Sequence, residues 1–171
     1  MQGYGKGYDT LLKVCEILPE NIGVYIIGDE PTDEFVKWKK DKNLNHLHFV
    51  SFKLKNELFE YYRAADISVL LSRGEAWGLV INESMANGTP VIATDACVGA
   101  LEIIEDKVNG YIVPVNSPQV VNNCILNFLT DKECQENMSF SAIQTIKNYT
   151  IENMTEAHIK QFDKLLNDTK M

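Results

Sequence analysis

The stretch DISVLLSRGEAWGLVINESMANGTPVIAT, residues 66–94, decides the fold. A short β-branched run stops at Ser72-Arg73-Gly74, apolar residues at helical spacing follow, and Asn87-Gly88 ends them before a second β-branched run begins. Two strands separated by a helix pair in parallel, because an antiparallel pair would need only a tight turn between them. Gly88 suits the C-terminal cap of the intervening helix. The same alternation continues on both sides. It predicts a helix over 8–18, a strand over 23–29, a helix over 32–42, a strand over 46–50, a helix over 54–65, and strands over 66–71, 89–94 and 110–114. Thr32 is the expected N-cap of the second helix, with acids in its first turn and lysines in its last. From 117 onward only helices are expected, over 118–129, 132–147 and 151–166. The fold class is therefore α/β: a Rossmann-like open parallel sheet with helices on both faces, followed by C-terminal helices. In such sheets ligands bind beyond the carboxyl ends of the strands.

Composition narrows the function. The chain has 171 residues, 45% of them hydrophobic and 23% charged, with a formal net charge of −8. That length suits one domain, 1–171, with a helical tail from about 117. The acidic balance argues against a nucleic-acid groove or a polybasic membrane patch, since both need clustered Lys and Arg. Cys15, Cys97, Cys124 and Cys134 are scattered, without the spacing of a zinc site or a disulfide framework. A reduced, cytoplasmic setting is expected. The first residues lack the pattern of a signal peptide, and no apolar run approaches the roughly 20 residues that span a bilayer.

Glu75 and Glu83 bracket the apolar run AWGLVIN. Glu75 falls in the loop at the carboxyl edge of the sheet. The helix is expected to start near Gly78 or Leu79, so the backbone N–H groups of Gly78, Leu79 and Val80 point into the same crevice with partial positive charge. Gly78 has no side chain to obstruct a close approach. Glu83 lies roughly 7 Å along the helix, but helical side chains lean back towards the N-terminus. A phosphate on the N–H groups and a ribose diol on the acid would together hold a nucleotide. On spacing alone, two solvated acids favoured by the helix dipole explain the pair equally well.

The wider context resolves this. The E-x7-E spacing of Glu75 and Glu83, the strand GTPVIATD, the loop VGALE and the turn DKVNGYIVP follow in one order. Together they resemble the donor-binding half of retaining glycosyltransferases of the GT-B fold, family 4. The resemblance covers residues 6 to about 127. It implies that Glu75 contacts the donor sugar near its anomeric centre and that Glu83 binds the ribose hydroxyls. Lys6, in GKGYDTLL, matches the family's diphosphate lysine. Gly99 remains of a Gly-Gly loop beside the donor, with Val98 in place of the first glycine. Trp77 fits a brace for the loop better than a ligand.

The resemblance implies transfer of a sugar, with retention, from a UDP- or GDP-type nucleoside-diphosphate sugar to a glycan or lipid-linked acceptor. Such a reaction belongs to polysaccharide or glycoconjugate biosynthesis and needs no cofactor or metal. Lys6 and the helix start at Gly78 would stabilise the departing diphosphate, while Glu75 positions the sugar. One departure stands out. The family's domain begins with a central strand ending in Gly-Arg, and Met1 falls after it; the acceptor-binding domain precedes that strand. The chain is expected to be the donor-binding part of a longer or two-chain enzyme, cytoplasmic and peripheral at the inner membrane face when whole. The alternatives are a catalytically inactive nucleotide-sugar-binding domain and a GT-B-type sugar-nucleotide epimerase. His46 and His48 alternate on a strand and are expected to be structural.

Overall fold

The computed structural model describes residues 5–168; residues 1–4 and 169–171 of the expected domain lie outside them. The described residues form thirteen elements, all but α5 at positions the sequence predicts: α1 (Tyr8–Cys15), β1 (Val24–Gly28), α2 (Asp33–Asp41), β2 (Leu47–Ser51), α3 (Lys55–Ala64), β3 (Ser68–Leu70), α4 (Leu79–Ala86), β4 (Val91–Thr94), α5 (Val98–Ile103), β5 (Gly110–Val113), α6 (Pro118–Thr130), α7 (Lys132–Ile146) and α8 (Ile151–Asp168). The expected caps form. The Thr32 hydroxyl accepts from the Phe35 N–H, and Gly88 takes the left-handed conformation at φ 83°.

All strand pairs are parallel, but they form two sheets. β1 pairs β2 from Val24 opposite Leu47 to Gly28 opposite Ser51. β3, β4 and β5 form the second, with β4 in the middle. β1 and β3 exchange no ladder hydrogen bonds, so among the described residues each presents one unpaired edge. Burial follows this pattern: every residue of β4 is buried, whereas all three of β3 are only half-buried.

One core cluster runs beneath both sheets. Val14, Leu18, Leu71, Ile92, Tyr111, Val113, Val121, Ile125, Phe128 and Met138 are buried together, and Val24 of β1 and Val69 of β3 pack against them. α1 contributes Val14 to this cluster and turns Leu12 and Cys15 to another, with Leu44 and Leu47 below β2. A third cluster fixes α4, α5 and α7 around Ile81, Met85, Ala100 and Ala142.

Two expectations change. The loop VGALE is a short helix, α5, whose Gly99, Ala100 and Ile103 are buried while Val98 and Leu101 face solvent. Its six residues are too few for a periodic signal. The expected helical tail is also heterogeneous: α6 and α7 bury Val121, Ile125, Phe128, Met138 and Ala142 in the core, and only α8 lies exposed throughout its described side chains.

Candidate functional site

The carboxyl ends of β3 and β4 are tied together by backbone. The Glu75 N–H donates to the Ala96 carbonyl at 3.1 Å and the Val98 N–H donates to the Glu75 carbonyl at 3.0 Å, which forms a parallel bridge between Glu75 and Cys97. The loop bearing Glu75 is thus an extension of the sheet rather than a free connection. Gly99 completes the joint. A Cβ there would lie 2.0 Å from the Trp77 carbonyl oxygen, so the space left by its absent side chain is occupied by the neighbouring loop.

α4 begins at Gly78, whose φ of 79° is left-handed. A Cβ there would meet Leu70 at 2.9 Å and the Cys97 sulfur at 3.1 Å. Glycine is therefore demanded by backbone and packing together. Among the described residues, the N–H groups of Gly78, Leu79 and Val80 have no backbone acceptor outside the helix, which leaves the donors of a helix start open. The Leu79 and Val80 side chains point to solvent.

Lys6 reaches the same edge from the start of α1. Gly7, at φ 71°, lies against β3 so closely that a Cβ would stand 2.0 Å from the Leu71 carbonyl oxygen, and the Arg73 N–H donates to the Gly5 carbonyl at 2.8 Å. This close passage brings the Lys6 Nζ to 2.5 Å from Glu75 Oε2. Two site residues 69 positions apart in sequence are therefore an ion pair. Glu83 sits further along α4, half-buried, and its Oε2 accepts from the Tyr62 hydroxyl at 3.3 Å.

Arg73 holds the edge together. Its guanidinium donates to both oxygens of Asp9 at 2.8 and 2.7 Å, to Asn116 at 2.7 Å and to Thr10 at 3.3 Å. Asn116 itself is left-handed at φ 58°. One side chain thereby joins the start of α1, the loop after β3 and the loop after β5. Hydrogen bonding from Arg73 holds the Asp9 carboxyl below its ordinary value, against the opposing effect of burial. Neither Arg73 nor Tyr62 is singled out by the sequence. Their partners lie 64 and 21 positions away, and the one available signal was Tyr62 falling four residues after Leu58 on the inward face of a helix.

Trp77 is a surface brace, 37% exposed; its Nε1–H donates to Asn82 at 2.9 Å and its ring approaches Tyr149. His46 is buried with Nε2 against the Cys15 carbonyl, and His48 stacks on Tyr25. All four cysteines are free thiols. Burial pushes the Cys15 thiol up to about 12. Among the described residues, no three His, Cys, Asp or Glu side chains converge as metal ligands do, and no helix is long and apolar enough to cross a membrane.

A parallel α/β domain with an open helix start and carboxylates beyond its strand ends is a nucleotide-binding architecture. The family model described as glycosyl transferases group 1 matches residues 3–145, and the chain belongs to that family. It is 28% identical over 165 residues to an uncharacterized glycosyltransferase of Methanocaldococcus jannaschii, covering 94% of this chain and 45% of that protein. HepE of Anabaena in complex with UDP superposes with a TM-score of 0.86 at 22% identity, over 94% of this chain and 46% of HepE. The C-terminal domain of a glycosyl transferase group 1 family protein of Francisella tularensis superposes at 0.77 with 29% identity, over 86% of this chain and 81% of that domain. The chain thus spans less than half the length of the first curated relatives it matches, and its architecture is that of GT-B glycosyltransferases.

Proposed function

We propose that this chain is the donor-nucleotide part of a retaining glycosyltransferase that uses a nucleoside-diphosphate sugar. The open start of α4 beside the Lys6–Glu75 pair, with the half-buried Glu83 further along the same helix, supports this reading. A diphosphate seated on the N–H groups of Gly78, Leu79 and Val80 meets a positive helix end. It also draws Lys6 away from Glu75, and the freed carboxylate then accepts from the sugar hydroxyls. Lys6 and the helix start stabilise the charge on the departing diphosphate. The acceptor attacks from the face the diphosphate leaves, so a phosphate oxygen takes its proton and neither a side-chain base nor a metal takes part. The UDP carried by HepE supports a pyrimidine nucleotide as the first donor to try.

The acceptor, a glycan or a lipid-linked sugar, would be held by a second domain of a longer or two-chain enzyme acting in polysaccharide or glycoconjugate biosynthesis. That enzyme would be cytoplasmic and peripheral at the inner membrane face. A strand between β1 and β3 would complete the sheet, and two observations favour it. Among the described residues, the two edges are unpaired over one core cluster, and the buried Ser72 hydroxyl, just after β3, has no hydrogen-bond partner.

Titration calorimetry with UDP, GDP and their sugar conjugates tests the site. Wild type should bind one nucleotide series, and Glu83→Ala should weaken it at least tenfold, about 1.4 kcal/mol. Equal affinity in the mutant removes the ribose role. The chain alone should turn over little donor, and efficient transfer by it without a partner overturns the need for a second part.

A further inference from the structure

Glu83 is not left to find its own rotamer. The Tyr62 hydroxyl donates to one of its oxygens at 3.3 Å across the α3–α4 contact. Tyr62 is itself fixed, since its backbone carbonyl accepts from the Thr89 hydroxyl. The Asn87 amide donates to the backbone carbonyl of Glu83 at 2.8 Å, and Arg63 of α3 donates to Asn87 at 3.2 Å, which ties the main chain at Glu83 to α3. Burial and the charge of Glu83 together hold the Tyr62 phenol far above its ordinary value, so its proton stays in place as a donor.

A carboxylate that accepts from two neighbouring ribose hydroxyls must present both oxygens in one orientation, whereas a half-exposed glutamate samples several rotamers. A single donor on Oε2 restricts the carboxylate plane and leaves Oε1 and one lone pair of Oε2 for a ligand. We propose that Tyr62 is a positioning residue that orients Glu83 to accept from the vicinal ribose hydroxyls of the donor nucleotide, and so sets the preference for a ribonucleotide over its deoxy counterpart. The proposal rests on the ribose role of Glu83 and adds a second residue, on another helix, to it.

The test compares UDP with 2′-deoxy-UDP by titration calorimetry on the chain as it stands, in wild type, Tyr62→Phe, Tyr62→Leu and Glu83→Ala, with thermal unfolding of each. Wild type should prefer UDP by about tenfold, as one hydrogen bond to a charged group allows. Tyr62→Phe should cut that preference by about threefold or more at an unchanged unfolding temperature, the effect expected when a binding carboxylate loses the neighbour that holds its orientation. Tyr62→Leu gives the same comparison should the Phe variant unfold. If the Tyr62 variants weaken both ligands equally, or leave the ratio intact while Glu83→Ala abolishes it, Tyr62 has no orienting role and the ribose reading stands. If Glu83→Ala keeps the wild-type ratio, or if wild type binds neither nucleotide, the ribose reading falls and the Tyr62 proposal with it.

Discussion

Asp9 and Arg73 meet across 64 positions through two charge-assisted contacts of 2.8 and 2.7 Å, with side-chain exposures of only 28% and 15%. Such bidentate pairs are strong because the guanidinium fork matches the carboxylate. Arg73 depresses the folded-state pKa of Asp9. A depressed carboxyl stabilises the fold at pH above its unfolded value, about 3.9, and the contribution is lost as pH falls through the lower folded value. Asp9→Asn should therefore cost about 1 to 3 kcal/mol at neutral pH. The deficit against wild type should shrink below about pH 4. Urea unfolding at pH 7 and pH 3 measures both, and a gap that stays constant with pH would refute an ionic contribution. Gly99 makes a different residue-scale test. With backbone 2.0 Å from any added Cβ, Gly99→Ala should destabilise by about 3 kcal/mol or more, because the loops at the end of β3 and β4 must separate.

Helices that look alike in sequence differ in what they support. Phe128 on α6 is 1% exposed in the main core, whereas Phe162 on α8 is 61% exposed. Phe128→Ala should cost about 3 to 5 kcal/mol. Phe162→Ala should stay within about 0.5 kcal/mol. Chemical denaturation of the two variants side by side decides it, and a large loss from Phe162 would mean that α8 packs on the domain in solution. This contrast was not legible in the sequence, since both helices carry apolar residues at helical spacing. The elements themselves were legible where periodicity and capping agreed, as at Thr32 and Gly88. They were not where an element was short: α5 reads as a loop, and of the run at residues 66–71 only Ser68–Leu70 forms β3. Glu75, Glu83 and the start of α4 could be located because they share one local stretch, but spacing alone left two solvated acids as an equal reading, and the resemblance of the wider context decided between them. The Lys6–Glu75 pair, the Arg73 clamp and the Tyr62 contact could not, because each depends on how distant segments are brought together.

At the scale of the whole molecule, two sheets share a core without, among the described residues, sharing a hydrogen-bond ladder, and α1 packs into the clusters beneath both. Leu12 and Cys15 enter one cluster, and Val14 another. The β1–β2 pair is largely half-buried, while β4 is wholly buried between its neighbours. Amide exchange should then fall into two tiers. β4 and β5 should exchange only with global unfolding, and β1 and β2 should exchange through a smaller opening at least tenfold faster, as elements of lower local stability do. Native-state hydrogen exchange in low denaturant reads this directly, and uniform protection across all five strands would show that the two sheets open as one. α1 should side with the slow tier, since freeing it requires both clusters to part. The helix that Lys6 precedes, one residue before its Gly7 cap, is thus the last piece to let go, and the cation at the edge of the sheet is anchored next to the slowest clock in the domain.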